Sequence, residues 1–463
     1  MRLSILIAAS LFALCGCVNK PDPPSEAPSG VTAANGDGVI LMTWDMLPAL
    51  TYWIFYAQGS SVSPGQLGSI AIKNAVSPRA VTGLLNDTDY ALVMNASNQG
   101  SAAGPNSQVV MGRPRLAGNF WTQGSVQGTH NLNALAFNGT GRYVTVGDGT
   151  TIFAGDFNYG HTNPVGVTQW FDRTTNPAIT WFPGDGTSTT VPPIPADYKA
   201  VIFNGSFVAL GATGEVALSA DGVNWAPQHA VLAAGGVSGL TGLAFGNIQG
   251  NGTYIAVGSG GQIYTTNALT QDWTLDTSGI TTSDLTSITL LNQGFFVTGS
   301  NGTLLHNPGD GTGWSPVSTG VTTTLRATAF MQNAPLLSPP SIQSIRYVAV
   351  GDSGTILTST DATVATAWTV APPSAFTPAP PVQNLLAVTV GGATGTRFLA
   401  IGQGGVAVFG DSVINDATGV PQPVNPIQWS VASQPATGDF SSVHFFTGQY
   451  LTVGAAGANA VSH

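Results

Sequence analysis

Apolar and polar residues alternate in short runs along most of the chain, beginning at Val39. A period of two places successive side chains on opposite faces of an extended strand, so these runs predict half-buried β-strands. Three such runs precede residue 115, at 39–44, 52–56 and 90–96, with turn residues between them. The pattern predicts an all-β chain.

A longer repeat begins after Arg115. Each repeat contains an apolar strand that ends in glycine, and a second glycine follows shortly after. The seven instances of this strand are 143–147, 207–211, 254–258, 295–299, 347–351, 398–402 and 450–454. Residues 119–463 allow about 49 residues per repeat, which is enough for four short strands. The sequence therefore predicts a seven-bladed β-propeller, in which each blade covers its faces with its neighbours.

Tryptophan marks the end of the repeats and tests their number. Trp225, Trp273, Trp314, Trp368 and Trp429 end repeats two to six, and Trp170 or Trp181 ends the first. The seventh repeat has no such tryptophan. Trp121, by contrast, stands before the first repeat and belongs to none of the seven. We expect the segment around Trp121 to supply the outer strand of the seventh blade, so that the ring closes without a free sheet edge.

Residues 28–115 resemble a fibronectin type III domain. Pro28 opens the segment, Trp44 lies where that family buries a tryptophan of an early strand, and Leu84 with Tyr90 resembles the tyrosine corner of such sandwiches. The resemblance implies a spacer or adhesive module, and the family's Arg-Gly-Asp adhesion loop is absent here. The expected fold is an N-terminal fibronectin type III-like sandwich followed by the seven-bladed propeller.

The repeats themselves resemble two propeller families. Residues 219–225, from Ser219 to Trp225, resemble the Asp-box turn of sialidases, and the whole repeat is similar to the propellers of photosystem II assembly factors. The Asp-box is a folding turn outside the sialidase active site, so this resemblance implies architecture rather than hydrolysis. Basic residues are too few for the positively charged groove expected of the assembly factors.

The first 17 residues predict a secreted, lipid-anchored protein. Arg2 precedes an apolar stretch at 3–14, which is shorter than the roughly 20 residues of a membrane span. Residues 14–17 resemble a bacterial lipobox, which implies that Cys17 becomes the lipidated first residue of the mature chain. The alternative is ordinary cleavage nearby, with both cysteines discarded or left free. A proline-rich linker follows at 18–27.

The expected location is the outer membrane, facing the periplasm or the cell surface. Val18 stands where lipoproteins retained in the inner membrane usually carry aspartate, so the lipobox resemblance implies this destination. Contact with the membrane is expected through the lipid anchor only.

Composition excludes several classes of function. The formal charge is −10 and only 12 residues are lysine or arginine, which argues against nucleic-acid binding because that depends on neutralising phosphates. Cys15 and Cys17 are the only cysteines, so the rest of the chain contains no disulfide and no thiolate metal site. We expect no cofactor.

Candidate catalytic residues are also few. Sialidase chemistry requires an arginine cluster, a tyrosine activated by a glutamate and an acidic aspartate. Glu215 is the only glutamate after residue 119, and Arg142, Arg346 and Arg397 precede the same repeated strand, so the ring separates them. We expect no catalytic residues. The alternative is a carbohydrate-active propeller enzyme, sialidase-like or lyase-like.

Metal sites are not expected either. The six histidines show no close pairing of the metal-ligand kind. Asp-Gly-Thr occurs at Asp148, Asp185 and Asp310 and could indicate calcium loops, but no acidic partners stand at alternating positions. Tight turns are the favoured interpretation.

Three insertions indicate where a partner binds. They lie at 155–169, or up to 180, in repeat one, at 332–345 in repeat five and at 410–427 in repeat six. In an up-and-down blade these connections leave from the same face, and repeats five, six, seven and one are consecutive around the ring. The fibronectin-like module is expected to enter on the same face, beside blade seven.

The candidate contact residues are Tyr159, His161 and Trp170, because exposed aromatic side chains are enriched among binding hot spots. Trp170 has an alternative role as the buried closing tryptophan of repeat one, in which case Trp181 is the loop residue. The sequence favours a non-catalytic binding or scaffold protein that holds a protein or glycan of the cell envelope or surface. A purely structural surface component is the third interpretation, and the sequence leaves the oligomeric state unknown.

Overall fold

Strands make up nearly all the regular structure of the chain. The computed structural model describes residues 21–98, 101–119, 121–124, 129–139, 141–156, 169–172, 196–222, 224–231, 238–332, 345–392, 396–415, 421–432, 438–446 and 448–462. In these ranges the helical segments are three-residue 3-10 turns at Ser259–Gly261, Asp352–Gly354, Ala365–Ala367, Pro373–Ala375, Gln403–Gly405 and Ala455–Gly457. No helix within them is long and apolar enough to cross a membrane.

Two antiparallel sheets form the N-terminal part. One contains β1 (Thr32–Gly36), β2 (Val39–Thr43) and β5 (Arg79–Thr82), in the order β1-β2-β5. The other contains β3 (Leu50–Gln58), β4 (Ile70–Ala75), β6 (Tyr90–Asn98) and β7 (Val110–Gly112), in the order β4-β3-β6-β7. Alternate residues of both sheets enter one shared core, whose largest members include Ile40, Trp44, Tyr52, Leu84, Tyr90 and Met94. We call this pair of sheets the sandwich.

Leu84 and Tyr90 both contribute to the core of the sandwich, where their side chains are buried. The Tyr90 hydroxyl accepts a hydrogen bond from the Leu85 backbone N–H at 3.0 Å, which ties the start of β6 to the loop before it.

Seven further sheets lie between Trp121 and Ser462 in the described residues, and we number them one to seven in the order of the repeats. Sheets one to four are β9 (Leu132–Phe137), β10 (Arg142–Gly147), β11 (Ile152–Asp156) and β12 (Gln169–Asp172); β13 (Tyr198–Phe203), β14 (Phe207–Gly211), β15 (Val216–Ser219) and β16 (Ala226–Pro227); β17 (Leu240–Ile248), β18 (Asn251–Gly258), β19 (Ile263–Thr266) and β20 (Thr274–Leu275); and β21 (Leu285–Leu291), β22 (Gly294–Gly299), β23 (Leu304–Asn307) and β24 (Ser315–Pro316).

The last three sheets vary this plan. Sheets five to seven are β25 (Leu325–Gln332), β26 (Ile345–Gly351), β27 (Ile356–Ser359) and β28 (Thr369–Val370); β30 (Leu385–Gly391), β31 (Arg397–Gly402), β32 (Ala407–Asn415) and β33 (Pro421–Val431), with β29 (Phe376–Thr377) added parallel to β33; and β34 (Phe440–Phe446), β35 (Gln449–Gly454), β36 (Asn459–Ser462) and β8 (Trp121–Gln123).

Contacts between first strands arrange these sheets in a ring. Each first strand contacts the first strand of the next sheet, and β34 of sheet seven contacts β9 of sheet one. The hydroxyls of Thr241, Thr286 and Ser441 donate to the carbonyl of the residue that opens the following sheet. These bonds repeat around the ring because the same strand position faces the same neighbour in each sheet.

Geometry explains why glycine recurs at the end of each second strand. A Cβ at Gly147, Gly351 or Gly454 would lie 1.9–2.1 Å from the carbonyl oxygen of the residue before the first strand. The second glycine of the repeat, such as Gly354 or Gly457, has a φ near +70°, which side-chain-bearing residues rarely adopt. Both glycines are therefore requirements of the turn between strands two and three.

The ring closes as the missing seventh tryptophan predicted. β8 pairs antiparallel with β36, with Trp121 opposite Ser462. The Trp121 indole N–H donates to the Gly118 carbonyl at 2.8 Å, which fixes the chain as it enters the strand. The segment that precedes sheet one thus completes sheet seven.

Candidate partner-binding face

One side of the ring carries the features that sequence analysis singled out. Strands in each sheet alternate in direction, so connections between strands one and two leave from the same side as those between strands three and four. We call this side the insertion face. The residues between β11 and β12, between β25 and β26 and between β32 and β33 all leave from it.

The sandwich also sits on the insertion face. The Asp37 backbone N–H donates to the carbonyl of Gly448, in the connection between strands one and two of sheet seven, at 2.8 Å. The Gln449 side-chain amide donates to the Asn35 carbonyl at 2.7 Å. Asp37 also lies beside Gly392, in the corresponding connection of sheet six. The expected entry beside the seventh sheet is confirmed by these contacts.

An apolar cluster seals the sandwich against sheets seven and one. Ala34 and Leu41 of the sandwich join Tyr143 of sheet one and Leu451 of sheet seven in one buried group. A Cβ on Gly448 would lie 2.2 Å from Val39 Cγ1, so the two parts meet at the backbone there. Contacts of this closeness favour a fixed orientation of the sandwich on the ring.

A buried ion pair lies where the interdomain segment crosses sheet six. Arg397 is 6% exposed, its Nε lies 2.9 Å from Asp411 Oδ1, and its Nη1 donates to the Ala117 carbonyl at 2.8 Å. The guanidinium also lies 4.5 Å from the centre of the Phe409 ring. Burial raises the pKa of Asp411; the Arg397 charge opposes that shift and the nearby Asp37 adds to it.

Sequence analysis treated Arg397 as one of several arginines spread around the ring and missed this pair. Its partner follows from register, because Arg397 opens β31 and lies directly opposite Asp411 of β32. The same register places Arg142 opposite Asp156 in sheet one. The pair could have been predicted from sequence, because in both sheets an arginine opens strand two and an aspartate lies at the facing position of strand three.

His444 occupies the junction between sheets seven and one. Its ring centre is 5.7 Å from that of Phe137, which in turn packs on Phe446. Burial lowers the pKa of His444 to about 4. Part of the ring surface remains accessible to solvent. The imidazole is neutral at physiological pH and contributes packing here.

The insertion expected as a loop at 410–427 contains two extended strands, and residues 416–420 between them lie outside the described residues. Asp411 pairs with Gln428, and after a register shift Val413 pairs with Pro423 and Asn415 with Pro421. Gly410, Asp411 and Ile427 therefore belong to the sheet, and the added part is 413–426. We call residues 413–426 the sheet-six hairpin. The prolines of this segment are compatible with an edge strand, because an edge position need not donate an N–H.

The three predicted contact residues have different outcomes. Trp170 lies in β12, opposite Gly155 of β11, so its backbone belongs to the outer strand of sheet one. Tyr159 and His161 lie outside the described residues, as does Trp181. The insertion of sheet one accordingly runs from 157 to 168 between the two strands. Residues 333–344 of sheet five are also outside the description, between Gln332 and Ile345.

The opposite side of the ring carries two ion pairs near the first strands. Lys199 Nζ lies 2.6 Å from Asp148 Oδ1, and Arg326 Nε lies 2.8 Å from Asp352 Oδ1. Partial burial opposes ionisation of Asp148, but hydrogen bonds from Lys199, Asn133 and Asn131 outweigh it and lower its pKa. Each of these charged side chains is therefore paired with another side chain of the protein.

The Asp-Gly-Thr and Asp-box segments form turns. Asp310 Oδ1 accepts hydrogen bonds from both the backbone and the hydroxyl of Thr312, at 2.9 and 2.7 Å. Asp221 Oδ1 accepts from the Asn224 backbone at 2.8 Å, and Trp225 is buried beside it. Among the described residues, no group of three or more histidine, aspartate or glutamate side chains could hold a metal ion. Asp185 lies outside those residues.

No family model and no curated protein sequence matches the chain. Among solved structures it is similar to YCF48 bound to D1 peptide, with a TM-score of 0.51 and 15% identity over 74% of this chain and 95% of that one. YCF48 from Cyanidioschyzon merolae gives 0.48 and 14%, covering 74% and 99%. The WD40 β-propeller domain of Doa1 gives 0.46 and 8%, covering 74% and 95%. At such low identity the first similarity establishes the fold alone, and the chain contains a β-propeller.

Proposed function

We propose that this chain is a non-catalytic binding protein of the cell envelope. In this proposal Cys17 carries the lipid anchor, residues 28–115 form a fibronectin type III-type module, and residues 119–463 form a seven-bladed propeller. The partner is a protein held on the insertion face, in the arc formed by sheets five, six, seven and one.

One observation carries the proposal: the sandwich, the sheet-six hairpin and two lengthened connections share one face and one arc of the ring. The sandwich contacts sheets six, seven and one there. The sheet-six hairpin extends from the same side, and the chain is lengthened between β11 and β12 and between β25 and β26. Loops and extensions on a rigid frame are where binding residues concentrate.

Two further points support a protein partner and an absence of catalysis. The similar YCF48 structure is described as bound to a peptide, so a propeller of this fold accommodates one. Two basic side chains of first strands and one at the interdomain junction are paired internally: Lys199 with Asp148, Arg326 with Asp352 and Arg397 with Asp411. A sialidase-like site would require such arginines to be free for a substrate carboxylate, so we do not favour the enzyme alternative.

The test is a pull-down from envelope extracts with two trimmed variants. In one, a short Gly-Ser turn replaces 157–168; in the other, a two-residue turn replaces the sheet-six hairpin and keeps Ser412 and Ile427, which are buried. We expect both variants to lose the partner captured by the unaltered chain, while thermal unfolding changes little. The control replaces 309–313 of sheet four with Gly-Ser, because that connection leaves from the same face outside the arc.

If both trimmed variants capture the same partner with full affinity, the site lies outside this arc. Loss of capture in the sheet-four control as well would show that the whole face, and not the arc, is involved. Either result contradicts the proposal.

A further inference from the structure

The free end of the sandwich exposes three large apolar side chains. Met46 is 46% exposed, Leu47 is 58% exposed and Val76 is 60% exposed. Met46 and Leu47 follow β2, and Val76 follows β4. The Ser77 backbone N–H lies 3.3 Å from Met46 Sδ, which brings the two connections together. We call Met46, Leu47 and Val76 the apolar tip.

Hydrogen bonds hold the tip in a defined conformation. The Leu47 N–H donates to the Tyr52 hydroxyl at 2.9 Å, and the Trp44 N–H donates to the Ser77 hydroxyl at 3.0 Å. The Leu50 N–H donates back to the Leu47 carbonyl. With its backbone fixed in this way, the loop presents its apolar side chains to the surroundings at little cost in conformational entropy.

The chain segment nearest the N-terminus runs along the same end of the sandwich. Asn98 pairs with Leu50 at the start of β3, and its side-chain amide donates to the Asp22 carbonyl at 2.6 Å. Further along, the Asp45 N–H donates to the Ser29 carbonyl at 3.0 Å. The segment therefore passes directly beside the tip.

This arrangement limits the distance between the tip and an anchor at Cys17. Asp22 lies five positions after Cys17, and an extended chain covers at most about 18 Å over that length. The propeller contacts the other end of the sandwich, through the turn at Asp37. A lipid attached to Cys17 would place the tip, and not the propeller, at the membrane surface.

The sequence predicted membrane contact through the lipid anchor only. We propose that, in addition, the apolar tip inserts into the surface of the lipid bilayer that carries the anchor. This inference rests on the lipidation of Cys17 in the proposed function. Leu47 and its neighbours would enter the interface between headgroups and acyl chains, where apolar side chains leave water. The Asp45 carboxylate, which accepts a hydrogen bond from the Ser29 hydroxyl, would remain at the headgroup level.

The test uses the mature chain, in which Cys17 is the sole cysteine, coupled chemically to a maleimide lipid in phosphatidylcholine vesicles. Leu47→Trp adds a fluorophore at the tip, and Val382→Trp adds one at a residue of the propeller that is 80% exposed. We expect brominated phosphatidylcholine to quench the emission added by Leu47→Trp and to leave that added by Val382→Trp unchanged. Unchanged Leu47→Trp emission would overturn the inference.

A second measurement separates the tip from the anchor. The unlipidated Cys17→Ser chain is expected to bind phosphatidylcholine vesicles weakly, and the added change of Met46, Leu47 and Val76 to serine should weaken binding about tenfold or more. Equal binding of the two chains would contradict a role for the tip. Native lipidation is tested separately: labelled fatty acid should be absent from wild-type Cys17 in cells if the anchor hypothesis is wrong. The vesicle experiment is independent of that result, because its lipid is coupled chemically.

Discussion

Removal of the Arg397 guanidinium should destabilise the protein more than removal of any half-exposed arginine. Arg397→Met keeps most of the aliphatic length and deletes the charge that faces Asp411. It also leaves the Ala117 carbonyl, which accepts from Arg397 at 2.8 Å, without that donor. The variant therefore creates an uncompensated carboxylate and an unpaired carbonyl in a buried place.

The expected loss in unfolding free energy follows from the burial of the Arg397 and Asp411 pair. Breaking a buried ion pair by removing one partner costs about 3–5 kcal/mol. The Asp411 side chain retains 28% of its exposure and can take up a proton, so we expect the lower end of that range, about 3 kcal/mol. Arg326 is the matched control, because its Nε lies 2.8 Å from Asp352 Oδ1 but its side chain is 35% exposed. Arg326→Met should cost about 1 kcal/mol or less.

Urea denaturation followed by tryptophan fluorescence measures both variants, with the shift in midpoint converted at the wild-type slope. The double variant Arg397→Met with Asp411→Leu should recover much of the loss, because it removes the orphaned charge. The reasoning is refuted if Arg397→Met is no more destabilising than Arg326→Met. It is also refuted if the double variant is as unstable as the single one.

Three other predictions follow from the same structure. A chain that begins at Asn131 lacks β8 and should unfold at a lower temperature than one that begins at Arg115, because it leaves the β36 edge unpaired; equal melting temperatures would argue against closure. Since the folded-state pKa of His444 lies below that of the unfolded chain, its contribution to stability is complete above pH 6.5 and is lost as pH falls toward 4. Allowing for partial exposure this loss is about 2 kcal/mol, and His444→Phe should flatten that part of the stability profile, which denaturation at each pH would test. Cys17→Ser should release the protein from membranes and abolish incorporation of labelled fatty acid, and unchanged fractionation would contradict the anchor.

The repeat could be predicted because its signals are local and sterically forced. Gly351 is required by the Thr324 carbonyl, and Gly354 by a positive φ, so sequence alone shows where strands two and three meet. The position of Trp121 was equally informative, because a sheet that lacks an outer strand must obtain one elsewhere.

The remaining features depend on contacts that the strand pattern alone does not specify. Part of the docking of the sandwich is a hydrogen bond between the backbone groups of Asp37 and Gly448, which the sequence pattern does not mark. The Arg397 and Asp411 pair requires the strand register that sets two residues 14 positions apart in sequence opposite each other. The sheet-six hairpin contains prolines that favour a loop locally, yet its strands extend a sheet already in place.

The two proposals together constrain the size and location of the partner. The sandwich joins the insertion face at Asp37 and carries the apolar tip at its far end, so the insertion face would be directed toward the membrane. The nine residues of β3 span about 30 Å, which sets the scale of the gap between propeller and bilayer. A large soluble assembly would not fit into such a gap beside the sandwich. A small domain, a peptide segment or the exposed part of a membrane protein in the same bilayer would fit. The partner captured through the sheet-six hairpin should therefore be recovered from the membrane fraction, and its capture should weaken when residues inserted between Asp22 and Cys17 raise the tip from the surface.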